Sequence, residues 1–199
     1  MMAILPPQKT APDREHLGRR LREIRRQQGL TLKALSVRSG VALSTLSKIE
    51  LGQIAVSYEK LAAAAHGLGV DIGELFGPAA PPSGEHGTVV VRSTIEDAPG
   101  YDADNYDYRA LATAFPGKRM VPMHGRIFAR SREQFPDYIR HAGQEFVMVL
   151  SGQVRLHFET GEVIDLKRSQ SAYFDSGVGH LYLSTGKGVA EVLVVMAEG

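Results

Sequence analysis

Two histidines and a glutamate in the second half of the chain are residue types that can hold a metal, and each lies at or just before the start of a β-rich run. His141 and Glu145 lie in HAGQEFVMVLSG, and His180 closes the run FDSGVGH. Two imidazole nitrogens and one carboxylate oxygen suit a divalent Zn, Fe, Ni or Mn, with positions left open for water or a ligand. The alternative is a polar pocket that holds no metal. Strand alternation puts Glu145 on the face of Val147 and Val149, and Tyr182 on the face of His180. Tyr106, Tyr108, Arg126, Phe128, Tyr173 and Tyr182 come from the same β-rich half. They supply an effector pocket with aromatic walls and an arginine for an anionic group. His157 alternates with Leu156 and Phe158 beside Arg155 and reads as a polar-face residue; His124 is likewise a weaker ligand candidate.

A second chemistry lies nearer the amino terminus, in TLKALSVRSGVALSTLSKIEL, residues Thr31 to Leu51. Thr31 is placed to cap a short helix that contains Leu32 and Leu35. Gly40 follows at the position where a helix closes in the left-handed conformation. Val41, Leu46 and Ile49 then form an inward edge, which leaves Leu43, Ser44, Thr45, Ser47 and Lys48 facing outward. Two helices joined this way present the second to a DNA major groove, with Leu43, Ser44, Thr45 and Lys48 nearest the bases. Lys33, Arg38 and Gln53 are the phosphate contacts. The second helix has no Arg, Asn or Gln to make a bidentate base contact, so the operator sequence is not legible.

Gly40, Val41, Leu46, Ser47, Glu50 and Gly52 together resemble the XRE (lambda-repressor-like) helix-turn-helix family, with Ala42 standing where that family has a serine cap. The β-rich half resembles the cupin superfamily. Its first motif, His-x-His-x(3,4)-Glu-x(6)-Gly, is met by His141, Glu145 and Gly152, and its second, ending Gly-x-x-His, by Gly177 and His180. Ile139 replaces the first family histidine, and Ser169, Asp175 and Ser184 replace the usual glycine, proline and asparagine. The resemblance therefore implies three of the four customary ligands.

The elements that must position these residues divide the chain in two. Residues 1–77 carry eleven Lys and Arg against seven Asp and Glu, whereas residues 78–199 carry twelve against fifteen. Only the first part has the charge for a polyanion. Proline-rich residues 1–13 read as a disordered tail, and residues 14–76 as a helix-turn-helix domain. Its first helix starts at Arg14 with Leu17, Leu21 and Ile24 inward and Arg19, Arg20, Arg22, Arg25 and Arg26 outward. Ser57 caps a fourth helix that Gly69 ends, and Asp71 with Glu74 forms a capping box for a short fifth. Residues 77–87, GPAAPPSGEHG, have the composition of a linker. Residues 88–199 hold eight short β-rich runs: 89–91, 106–111, 121–128, 146–150, 154–158, 172–174, 181–183 and 189–195. The expected fold is thus two domains, an all-α five-helix lambda-repressor-like bundle followed by an all-β cupin jelly-roll barrel.

The absence of cysteine excludes disulfides and thiolate metal sites and fits a cytoplasmic protein. The amino terminus has no leader-like apolar region, and no run of about 18 apolar residues occurs. These features, with the two resemblances, imply a sequence-specific DNA-binding regulator and not an enzyme, with no catalytic residue assigned. Its barrel would dimerise and sense an unidentified small molecule, because a single reading domain buries too little surface for tight specific binding. The competing class is a metal-dependent cupin oxygenase. Non-haem iron epoxidases of hydroxyalkylphosphonates resemble this chain in layout and in His141, Glu145 and His180, with Tyr106 and Tyr108 at comparable positions. Gly29 stands where those enzymes have a basic catalytic side chain and Tyr138 where they have a polar amide, which favours the regulator.

Overall fold

The computed structural model describes residues 11–54, 56–70, 72–76, 90–102, 105–115 and 118–197. Most of the expected tail, Asp71 of the capping box, the expected linker and Val89 lie outside the described residues.

Four α-helices come first: α1 (Ala11–Gln27), α2 (Leu32–Ser39), α3 (Leu43–Glu50) and α4 (Tyr58–Leu68). In place of the expected fifth helix there is a single 3-10 turn, Ile72–Leu75. Helix α1 begins three residues before the expected Arg14. A proline in a first turn costs little, because the N–H it lacks would be unpaired there in any case. Thr31 caps α2, its hydroxyl accepting from the Ala34 amide at 3.0 Å, and Gly40 closes that helix at φ 71°. Ala42 precedes α3 with no side-chain cap. Ser57 stands before α4 in an extended conformation, but its side chain makes no cap hydrogen bond, contrary to expectation; its carbonyl takes the Lys60 and Leu61 amides.

The apolar stripe of α1 is as expected, with Leu17, Leu21 and Ile24 buried. Gly18 allows α1 to approach α3, since a Cβ there would stand 2.3 Å from the Ile49 carbonyl oxygen. Two arginines expected on the outside are buried instead. Arg20 donates through Nε to the Glu74 carbonyl at 3.0 Å. Arg25 grips Glu50 with both arms, Nε to Oε1 at 2.5 Å and Nη2 to Oε2 at 2.8 Å, and reaches the Leu30 carbonyl at 2.7 Å. Arg20 lies three residues after Leu17 and Arg25 four after Leu21, so both flank the apolar stripe, where a long side chain can bury its stem and still find an acceptor.

Nine strands follow: β1 (Gly100–Asp102), β2 (Tyr106–Ala110), β3 (Met120–Ile127), β4 (Gln144–Ser151), β5 (Gln153–Phe158), β6 (Val163–Lys167), β7 (Ser171–Asp175), β8 (His180–Ser184) and β9 (Ala190–Ala197). They form a six-stranded sheet in the order β1-β2-β3-β9-β4-β7 and a three-stranded sheet in the order β6-β5-β8, all paired antiparallel. Val90 and Val91 are not in a strand, which corrects the first expected run. Strands β1 and β6 were not expected. Strand β1 has three residues and begins with glycine, and β6 buries only Leu166 fully, so neither carries a clear alternating signal. The inner faces bury Val121, Met123, Val147, Val149, Val192 and Val194 against Val154, Leu156 and Phe158, whose register partners on β8 are Ser184, Tyr182 and His180. The helical domain meets the barrel at β1, where Phe76 stacks on Tyr101 with ring centroids 6.0 Å apart.

Breaking the Arg25–Glu50 pair strands a buried charge. Glu50→Ala is expected to cost about 3 kcal/mol in urea unfolding, whereas Arg25→Met combined with Glu50→Leu recovers most of that loss.

Candidate functional site

Strand β4 carries Glu145 inward, as its alternation with Val147 and Val149 requires, and leaves the carboxylate buried at the base of the barrel cavity. His141 sits four residues earlier, just before the strand, and its Nε2 lies 2.8 Å from Glu145 Oε2. His180 opens β8, and its Nε2 approaches the same oxygen at 3.7 Å. An isolated bridge between Ile139 and His180 ties these two segments together, with Ile139 N to His180 O at 3.1 Å and the reverse bond at 2.9 Å. Ile139 itself faces the cavity at the position of the missing fourth ligand.

The orientation of each donor has a cause. His180 Nδ1 is 2.9 Å from the Val178 carbonyl, which holds the proton on that nitrogen and leaves the Nε2 lone pair aimed at Glu145. Tyr182, two residues along the same strand, donates its hydroxyl to Glu145 Oε1 and so leaves Oε2 to the imidazoles. Tyr106 fixes Tyr182 in turn: its hydroxyl donates to the Tyr182 carbonyl at 3.0 Å and accepts from the Tyr182 amide at 2.8 Å. The ligand atoms of His141, Glu145 and His180 all lie within 4.8 Å of one another. Donors about 2.1 Å from a tetrahedral ion stand about 3.4 Å apart, so the set can close on one divalent cation with small adjustments.

The electrostatics agree with a ligand set. Burial holds the His180 imidazole below its ordinary value against the pull of Glu145, which favours the neutral form that coordinates metal. Burial also pushes the Glu145 carboxyl up, but the His141 hydrogen bond, the electrostatic influence of the neighbouring histidines and the Tyr182 hydroxyl outweigh it and hold the group below its ordinary value. The Tyr182 phenol is raised, by burial first and then by the Glu145 charge, so it remains a donor.

The cavity around these groups is about 20 Å³, lined by Tyr106, Tyr108, Ile139, Val194, Met196 and Tyr182 besides the triad. That is room for about one water. Of the six residues expected to form an effector pocket, Tyr106, Tyr108 and Tyr182 line it and three do not. Arg126 has the outward parity of β3, lies 3.8 Å from Asp107 and stacks over Phe128, which falls beyond the end of that strand. Tyr173 is 64% exposed and donates to Gln144 on the outer face. A tyrosine's type gave no indication of its face; the strand register does. Ile139, Val194 and Met196 were missed, although the alternation of β9 puts Val194 and Met196 inward with Val192.

In the helical domain, Leu46, Ile49 and Glu50 of α3 are buried while Leu43, Ser44 and Lys48 are exposed and Thr45 is half-buried. Lys33, Arg38 and Gln53 are exposed around it.

Residues 16–75 match the helix-turn-helix domain model and residues 129–196 the cupin domain model. The HTH-type transcriptional regulator PuuR of Escherichia coli K12 is 23% identical over 176 residues, covering 88% of this chain and 91% of that protein. The chain thus joins a helix-turn-helix domain to a cupin domain. A crystal structure of an HTH_3 family transcriptional regulator from Vibrio cholerae has the same fold, with a TM-score of 0.66 and 17% identity over 95% of this chain and 98% of that one. Hydroxypropylphosphonic acid epoxidase from S. wedmorenis aligns over 94% of this chain and 100% of its own at 24% identity, with a TM-score of 0.49.

The triad predicts one equivalent of Co(II) or Zn(II) per chain by titration calorimetry. Loss of one ligand, in His180→Ala, lowers affinity by more than about 100-fold, and loss of the orienting hydroxyl in Tyr182→Phe lowers it by about 10-fold.

Proposed function

We propose that the protein is a dimeric, cytoplasmic transcriptional regulator that reads an operator with α3 and adjusts its grip according to what fills the cupin cavity. The observation that carries this reading is the division of α3. One side is sealed into the bundle by Leu46, Ile49 and the Arg25–Glu50 pair, and the other offers Leu43, Ser44, Thr45 and Lys48 to a groove. Lys33, Arg38 and Gln53 serve the flanking phosphates. Among the described residues no helix is long and apolar enough to cross a membrane.

The narrowness of the cavity supports a sensing role. With room for about one water, it cannot take a metabolite unless lining side chains move, and Tyr106, Tyr108 and Tyr182 are the largest of these. Those rings continue toward the reading domain: Tyr182 to Tyr106 at 6.3 Å, Tyr106 to Tyr108 at 5.8 Å, Tyr108 to Tyr101 at 5.7 Å and Tyr101 to Phe76 at 6.0 Å. A ligand that favours one arrangement of this series biases the placement of the helices, and operator binding biases ligand affinity in return. The His, Glu and His set would also serve a metal-dependent oxygenase. Stoichiometric Fe(II) together with oxygen uptake and turnover would favour that reading.

Titration of DNA fragments from the gene's own upstream region tests the regulator. Binding is expected to weaken steeply with salt, and Lys48→Ala to reduce the slope of log K against log salt by about 1. No salt-dependent binding to any such fragment would count against operator recognition. Filling the cavity with Zn(II) alone is expected to change operator affinity by about 5-fold or more, and Tyr101→Ala to abolish that change while leaving both separate affinities near wild type. A Zn(II) effect that survives in Tyr101→Ala would contradict the aromatic route.

A further inference from the structure

Both imidazoles of the triad are delivered by irregular chain. His141 ends the segment 135–141, and His180 follows the turn at 176–178 before it opens β8. Backbone bonds tie these segments to each other, through the Ile139–His180 bridge and from the His141 amide to the Ser176 carbonyl at 3.1 Å. A third element reaches both. Glu159 stands just past β5, in the turn that leads to β6, and its carboxylate takes the residue before each ligand histidine. Oε1 accepts from the Gly179 amide at 2.7 Å and from Arg140 Nε at 3.3 Å, and Oε2 accepts from Arg140 Nη2. The Glu159 amide donates to the Gly179 carbonyl at 2.8 Å, so one residue holds both backbone groups of Gly179. Arg140 is fixed in turn, with Nη1 3.4 Å from Asp137 Oδ2 and 3.3 Å from the Tyr138 carbonyl. The fit leaves no slack: a Cβ on Gly179 would stand 2.8 Å from Tyr138 Cβ, 2.9 Å from Glu159 Cδ and 3.1 Å from Arg140 Nε.

We infer that Glu159 is a positioning residue for the metal centre, which sets the separation of His141 and His180 from a place that does not line the cavity. The inference rests on metal binding by the triad. Two magnitudes separate this role from a general contribution to folding. The Arg140 and Glu159 side chains are 40% and 36% exposed, and an ion pair so open to water adds little to stability. The ligand atoms, in contrast, lie within 4.8 Å of one another and must settle at about 3.4 Å around a tetrahedral ion. A small shift in either histidine's backbone is therefore felt by the ion well before it is felt by the fold. Contacts that orient ligands in this way change metal affinity by about 10- to 100-fold.

Titration calorimetry of the full chain with Co(II), beside thermal unfolding of the metal-free protein, tests this. Glu159→Ala is expected to weaken Co(II) binding by about 10-fold while the metal-free unfolding temperature stays within about 2 °C of wild type. The visible absorption of bound Co(II), which reports the arrangement of its donors, is expected to change as well. Gly179→Ala keeps every charge but pushes Tyr138, Glu159 and Arg140 away from the His180 segment, and is expected to weaken binding in the same direction. Arg155→Ala is the control: it breaks a similarly exposed two-armed pair with Asp165, at 2.6 and 2.7 Å, on the strand that leads to Glu159, and is expected to leave Co(II) binding unchanged. Wild-type affinity and absorption in Glu159→Ala overturn the inference and leave metal binding by the triad standing. A loss of affinity that Arg155→Ala reproduces, or a fall in unfolding temperature with Co(II) affinity unchanged, overturns it equally. A wild type that takes up no Co(II) refutes the metal reading itself, and this inference with it.

Discussion

Glu145 is a fully buried carboxylate, and the architecture of the barrel follows from the need to satisfy it. Removing a charge from water costs several kcal/mol, which is offset only when its oxygens are paired and hydrogen-bonded. One oxygen takes the Tyr182 hydroxyl and the other faces His141 and His180. Because the three partners come from a loop and from strand β8, in the sheet opposite β4, this one group fixes how the two sheets register. The bridge from Ile139 to His180 and the grip of Tyr106 on the Tyr182 backbone then leave the ring positions little freedom. A site built this tightly does not admit a ligand silently. Anything much larger than water must displace a lining side chain, and the lining rings of Tyr106, Tyr108 and Tyr182 are in contact with others that end at Phe76 of the helical domain.

The helical domain solves a similar problem at its other end. Arg25 and Glu50 are both buried, and their two-armed contact fastens the last turn of the reading helix to α1. Neither residue touches solvent enough to contact DNA. Their role is to hold α3 at a fixed angle, so that the short side chains of Ser44 and Thr45 and the longer one of Lys48 are offered from a rigid support. Uniform hydroxyl contacts and one cation give such a helix little intrinsic base preference. In the proposed dimer, specificity would come from the paired arrangement of two reading domains and from DNA shape.

Much of this was legible in the residues. Thr31, Gly40, Val41, Leu46 and Ile49 follow rules that act over three or four residues, and the structure obeys them. The triad was legible through the resemblance of His141, Glu145, Gly152, Gly177 and His180 to the two cupin motifs, because His180 is too far along the chain from Glu145 for a local rule to join them. What escaped were features decided by distant partners. Arg20 and Arg25 looked like surface cations because their acceptors, the Glu74 carbonyl and the Glu50 carboxylate, lie on other elements. Arg126, Phe128 and Tyr173 were grouped with the pocket by type, whereas parity along β3 and β7 sends Arg126 and Tyr173 outward and Phe128 lies past the end of β3. Strands β1 and β6 carry too little alternation to register until their neighbours are known. Val91, at the end of the β-branched run Thr88 to Val91, reads as a strand but pairs with none of the described strands.

The central claim is that α3 selects DNA by sequence. Enrichment of total genomic fragments on the purified protein, sequenced and compared with the same selection by a Ser44→Ala, Thr45→Ala, Lys48→Ala variant, tests it most directly. The account predicts that wild type recovers a small set of fragments sharing an inverted repeat whose half-sites are centred about 10 base pairs, or a multiple of one helical turn, apart, and that the variant loses that set. Recovery of the same fragments by both proteins, or of no common sequence by either, would contradict it.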